Sequence, residues 1–99
     1  MTADKFTKHD GGKPRVELVP PEAILAIARA YTMGAPKYGR DNWKQCEDWS
    51  RIYGALQRHL LAWSSGELAD KESGLSHLDH AICNLAMLCW ADSRKVATK

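Results

Sequence analysis

The sequence predicts an all-α protein, a small three-helix unit that completes a helical bundle by oligomerisation. Three observations carry this. Apolar residues recur at helical spacing after Pro20 and again after Asp48, and a third stretch around Ala81 to Trp90 is apolar almost all round. Pro, Gly, Ser and Asp punctuate these stretches where helices start and stop. The 99 residues read as a single domain, residues 1–99. A chain this short buries only about two thirds of its unfolded surface, so its core is thin unless subunits share one.

The elements follow in order. Residues 1–19 include Gly11-Gly12, Lys13, Pro14 and Arg15, a composition for an irregular arm. Pro20-Pro21 opens the first helix, because proline is tolerated in the first turn and Glu22 complements the dipole there. Ile24, Ile27, Ala28 and Tyr31 share a face and Gly34 is read as the stop, placing this helix at about 21–33. A loop follows, with Pro36, Gly39, Asp41 and Asn42, and with Lys37, Tyr38 and Trp43 among them. Asp48 is the expected N-cap of the second helix, at about 48–65, whose stripe is Ile52, Leu56, His59, Leu60 and Trp63 and whose stop is Gly66. A charged connection, Glu67 to Ser73, leads to the third helix at about 74–92, with Ser76 and Asp79 spaced as a capping box. Residues 93–99 are expected to be a flexible tail. A helix apolar nearly all round must be covered on every side, which predicts a homo-oligomer packed through helix 3. A central helix buried in a compact monomer is the alternative.

Bulk properties exclude several classes. The net charge of +2, with basic residues spread along the chain, argues against nucleic acid or a membrane surface as partner. Three cysteines, Cys46, Cys83 and Cys89, make an odd count without CxxC spacing, and the polar N-terminal stretch carries no secretory signal. The longest apolar run, Leu85 to Ala91, is far short of the roughly 20 residues that span a bilayer. A cytoplasmic location is expected.

The polar residues of helix 3 are its chemical feature. His77, His80 and Asn84 fall within about 60° of one helix face. In the first turn the dipole disfavours a positive charge, and neutral imidazole suits a metal ligand, a general base or a donor to phosphate. One histidine capping the connection and the other satisfied in the core is the plainer alternative. Glu72 lies just before, and a carboxylate beside two imidazoles suits Mg²⁺ or Mn²⁺ if phosphate supplies further oxygens. The expected metal ligands are therefore Glu72, His77 and His80. Glu67 and Asp70 read as solvated surface, and Asp79 as the capping-box acid. Zinc held by His77, His80 and Cys83 is disfavoured, since Cys83 rotates toward the packing side.

Two further groups stand out. On the second helix His59 shares an apolar stripe, the usual place of a core histidine, while Arg58 can offer a fork of donors to phosphate. Lys13 and Arg15 in the arm, and Lys37, Tyr38, Asn42 and Trp43 in the loop, combine cations with aromatic faces on which a base can stack. Trp43 closing the end of the bundle is the alternative reading.

Taken in order, these segments resemble a family. Gly12-Lys13-Pro14-Arg15, Leu18-Val19-Pro20-Pro21-Glu22-Ala23, Gly34-Ala35-Pro36-Lys37-Tyr38-Gly39, Asn42-Trp43, Ala55 through Arg58-His59, Gly66-Glu67 and Glu72 to Leu78 with His80-Ala81 and Asn84 resemble the phage and prophage domain known as the N-terminal region of dATP/dGTP diphosphohydrolases. That resemblance implies cleavage of a purine (deoxy)nucleoside triphosphate to monophosphate and pyrophosphate with Mg²⁺, in the host cytoplasm if the chain is phage-encoded. It is also similar in spirit to the MazG-like helical pyrophosphohydrolases, but their ExxE segment is missing here.

Two functions follow as expectations. In one, Glu72, His77, His80 and His59 are catalytic, while Lys13, Arg15, Lys37, Tyr38, Asn42, Trp43, Arg58 and Asn84 bind the substrate. In the other, the same pocket sequesters a nucleotide or nucleotide signal without turnover, acting against a host defence.

Overall fold

A computed structural model describes residues 11–97. After a 3₁₀ turn at Val16–Leu18 come α1 (Pro21–Tyr38), a second 3₁₀ turn at Asn42–Gln45, α2 (Ser50–Ser64) and α3 (His77–Ala97). The described residues contain no strand, only one isolated bridge between Ala69 and Ser76. The expected arm, 1–19, falls partly in residues 1–10 and the expected tail partly in residues 98–99, which lie outside the described residues.

The helix ends correct the sequence reading in several places. Gly34 does not stop α1. Its backbone lacks the positive φ that a glycine stop uses, and the helix runs on through Pro36 to Tyr38. The stop is Gly39, at φ 90°, whose N–H donates to the Ala35 carbonyl at 2.8 Å. A glycine inside a helix is merely costly, whereas a positive φ demands one. Lys37 and Tyr38 are therefore held on a helical turn rather than in a loop. α2 starts at Ser50 rather than Asp48, yet Asp48 caps it from outside. Its Oδ1 accepts from the Ser50 N–H at 3.2 Å and from the Ser50 hydroxyl at 2.6 Å. α3 begins at His77, not 74, and residues 93–97 continue it instead of forming a tail.

The capping box also fails. Ser76 Oγ accepts from the Leu78 N–H at 3.1 Å, but Asp79 turns away to α1. There it takes a fork from Arg29 at 2.9 and 3.0 Å, with the Asp79 side chain 7% exposed. A bidentate guanidinium satisfies a buried carboxylate better than one amide does.

α3 is the middle of the molecule. α1 and α2 each pack against it and contact it far more than they contact each other. Small residues, Ala30 of α1 and Ala81, Cys83 and Ala91 of α3, make the buried apolar core and let the helices approach closely. No large side chain among the described residues is fully buried. Leu78, Ile82, Leu85 and Cys89 fall on one stripe of α3, within about 60° of arc. Leu78, Leu85 and Cys89 on that stripe are exposed. The single chain thus leaves uncovered the side of α3 turned away from α1 and α2.

At one end, rings join three segments. Trp43 of the second 3₁₀ turn meets Trp90 of α3 edge-on at 5.1 Å and Tyr31 of α1 at 5.8 Å. Trp49 lies 6.2 Å from Trp90, and Lys44 and Arg94 cover the Trp90 face. This cluster ties the 39–49 segment to α3. No helix of the described residues is long and apolar enough to cross a membrane.

Candidate functional site

The connection between α2 and α3 is a folded turn rather than a solvated loop. Gly66, at φ 104°, ends α2, and the Glu67 N–H donates back to the Ala62 carbonyl at 3.1 Å. Asp70 and Leu75 then pair as in a short hairpin, the Asp70 N–H donating to the Leu75 carbonyl at 2.7 Å. Gly74, at φ 79°, closes the turn, and the His77 N–H donates to the Leu68 carbonyl at 2.9 Å. This fold carries Glu67, Asp70 and Ser73 onto the first turn of α3.

Three imidazoles meet there. His59 of α2 stacks on His80 at 4.7 Å between centroids and 15° between planes, and its Nδ1 lies 2.9 Å from His77 Nδ1. His77 is 4% exposed, and its Nε2 lies 2.6 Å from Glu67 Oε2. That contact holds the Glu67 carboxyl below its ordinary value, so the ionised carboxylate accepts and His77 donates from Nε2. The Nδ1 of a neutral His77 then carries a lone pair toward His59. Burial, followed by the neighbouring His80 and His77, lowers the pKa of His59 and favours its neutral form.

His80 is tied to the turn, its Nε2 lying 2.7 Å from Ser73 Oγ and 3.8 Å from Asp70 Oδ2. Hydrogen bonds from Ser73, assisted by the His80 and His59 imidazoles, hold Asp70 below the usual carboxylate range against the cost of burial. Asp70 and Glu67 are therefore not solvated bystanders. Nothing in their linear spacing marks them, because a turn with positive φ at Gly74 brings them back.

The cluster opens onto a cavity of about 440 Å³ between α1, α2 and α3, the size of a small-ligand pocket. His59, Asp70, Ser73 and His80 line it together with Lys37 and Tyr38 from the last turn of α1. Glu72 stands at the rim. Its side chain is 84% exposed and 3.7 Å from Lys37 Nζ. Tyr38 and then Glu72 raise the Lys37 pKa, which keeps it a cation.

A second cavity of about 620 Å³ is lined by Asn42, Trp43, Arg51 and Arg58, and it shares Asn84 and Met87 with the first. Arg51 was not foreseen. The expected binding residues thus divide between two adjoining cavities. Trp43 sits within the aromatic cluster at the bundle end. Lys13 and Arg15 line neither cavity, and Arg15 pairs with Glu17 at 3.0 Å.

Among the described residues, the donors that converge closely enough for one cation are His59, Asp70 and His77, with ligand atoms all within 4.8 Å of one another. Glu72, which the sequence reading placed among the ligands, is not in that set. Mg²⁺, implied by the resemblance, requires hard oxygen ligands at near-octahedral geometry. Two nitrogens and one carboxylate do not fit a protein-built Mg²⁺ site.

Fold and site together define the class, a small all-helical protein with imidazoles and carboxylates gathered at the mouth of a ligand-sized cavity. The chain belongs to the family described as dATP/dGTP diphosphohydrolase, N-terminal, whose model matches residues 3–99. It is 36% identical over 90 residues to a protein of Salmonella phage PMBT28 named dATP/dGTP diphosphohydrolase. That alignment covers 91% of this chain and 30% of the relative, so the chain spans about a third of the length of the curated protein it matches. No solved structure matches it.

Proposed function

We propose that the chain hydrolyses a purine (deoxy)nucleoside triphosphate to the monophosphate and pyrophosphate, acting in the host cytoplasm at the cavity between its three helices. The observation that supports this is that imidazoles and a cation line one cavity together: His59 and His80 with Lys37. In this reading His80 takes a proton from a water molecule whose oxygen attacks the α-phosphorus. The bond from that phosphorus to the bridging oxygen breaks, and pyrophosphate leaves. Lys37 offsets charge on the phosphate oxygens, and Arg58 and Arg51 beyond the Asn84 wall receive the leaving phosphates. Tyr38, 61% exposed, offers its ring to the base.

The test is a panel of dATP, dGTP, ATP and GTP incubated with the protein and divalent cations, scored for pyrophosphate and for intact nucleotide. Release of pyrophosphate, lowered about 100-fold or more in His59→Ala or His80→Ala, supports hydrolysis. Tight binding with every nucleotide recovered intact sinks it.

That outcome is the second reading, a protein that sequesters a nucleotide or nucleotide signal against a host defence. One observation favours it: Glu72, 84% exposed, pairs with Lys37 and is not among the donors that converge with the imidazoles. We also propose that a second copy covers the Leu78–Leu85–Cys89 stripe of α3, making a homo-oligomer. Sedimentation of the wild type and of Leu85→Glu tests this, and a monomeric wild type refutes it.

A further inference from the structure

We infer that His59, Asp70 and His77 bind one divalent transition-metal ion, with Glu67 orienting His77 from behind, and that the chain does not itself build a Mg²⁺ site. Two imidazole nitrogens 2.9 Å apart must be bridged by a proton on one of them or by a cation between their lone pairs. Glu67 favours a lone pair on His77 Nδ1, because its Oε2 accepts from the opposite nitrogen at 2.6 Å. A carboxylate behind a ligating imidazole fixes its tautomer and raises its basicity, the usual support of a metal-bound histidine.

The other Glu67 oxygen is 3.5 Å from the exposed Lys71, so Oε2 is committed to His77. Asp70 supplies the third donor and is itself held by the Ser73 N–H at 2.9 Å. Two imidazoles and one carboxylate suit Mn²⁺, Fe²⁺, Co²⁺ or Zn²⁺, which accept nitrogen readily. Asp70 and Glu67 together offset one dication beside the buried His77, which is only 4% exposed, while the Lys71 partner of Glu67 stands in solvent. This differs from the ligand set Glu72, His77 and His80 and from the Cys83 zinc site weighed in the sequence. Cys83 is buried. The inference stands apart from the hydrolase reading, since binding is measured without nucleotide.

The experiment is calorimetric titration of the metal-free protein with Co²⁺, Mn²⁺ and Mg²⁺, with the Co²⁺ visible spectrum recorded in parallel. One ion should bind per chain, Co²⁺ more tightly than Mn²⁺, with no binding of millimolar Mg²⁺. Asp70→Asn and His59→Ala should abolish the Co²⁺ band, and Glu67→Gln should weaken binding about 10–100-fold with helical circular dichroism retained. Glu72→Gln and the double change Cys46→Ser, Cys89→Ser should leave it unchanged. No Co²⁺ binding by the folded protein overturns the inference. So does a Co²⁺ band that survives Asp70→Asn and His59→Ala but disappears with the cysteines, or Mg²⁺ binding as tightly as Co²⁺.

Discussion

Replacing Gly34 and Gly39 in turn by alanine should move stability in opposite directions, and the signs report where α1 ends. Neither site is crowded. A Cβ on Gly34 would lie 3.9 Å from Tyr38 Cδ2, and one on Gly39 3.9 Å from the Asn42 Cβ, both ordinary contacts. The difference lies in the backbone. Gly34 is in the helical interior, where alanine in place of glycine gains about 0.5–1 kcal/mol by reducing the freedom of the unfolded chain. Gly39 has φ 90° and ψ 145°, a region open essentially to glycine alone, where a side chain costs about 1–3 kcal/mol. For a chain of this size each kcal/mol shifts Tm by about 4–8 °C. Gly34→Ala should therefore raise Tm by about 2–8 °C and Gly39→Ala lower it by at least about 4 °C. Urea denaturation followed by far-UV circular dichroism reads both. If Gly34→Ala is the destabilising one and Gly39→Ala is neutral, α1 stops at Gly34. Lys37 and Tyr38 then return to a loop, and the cavity wall they form is lost.

Other perturbations probe the packing around the site. Trp90→Ala removes the ring that Trp43 and Trp49 share and should cost about 3 kcal/mol in guanidinium denaturation, with Trp90→Phe costing less than half as much. A loss below about 1 kcal/mol would show that the aromatic cluster does not anchor the 39–49 segment. Arg29→Ala should lower Tm more than Asp79→Ala, because it strands a buried carboxylate whereas Arg29, 51% exposed, can return to water. The reverse order would contradict the burial asymmetry. Burial pushes the Cys83 thiol up to about 11, so its thiolate is about 100-fold scarcer than that of an ordinary cysteine at pH 8. Iodoacetamide at that pH should modify Cys46, which lies off the proposed oligomer face, and spare Cys83 until the protein unfolds, as mass mapping would reveal; early loss of Cys83 would mean an open core.

The helices were legible because their signals are local. Pro20-Pro21, the Ile24 to Tyr31 periodicity, Asp48 and Gly66 each act within a turn or two of chain, and each has its effect where expected to within a few residues. Gly34 misled because a glycine reads the same in sequence whether its φ is negative or positive. Asp79 misled because a capping box and an ion pair use the same carboxylate. Arg29, which decides between them, lies 50 positions away. His59 looked like a core histidine for a sound reason: it does lie on the packing stripe of α2. That stripe packs against the polar first turn of α3 as well as against apolar residues.

By itself the sequence determined the all-helical class, the order of the elements and the placing of His77 and His80 together at the start of the last helix. These follow from periodicity and from polar residues set in an otherwise apolar helix. Its ordered motifs also carried the family resemblance. Only the tertiary structure decided which carboxylates face those imidazoles. Asp70 and Glu67 reach them through a turn closed by Gly74, while Glu72, nearer in sequence to His77, points to solvent. Proximity along the chain says little there, because a reversing turn sends neighbouring side chains to opposite sides and brings distant ones together.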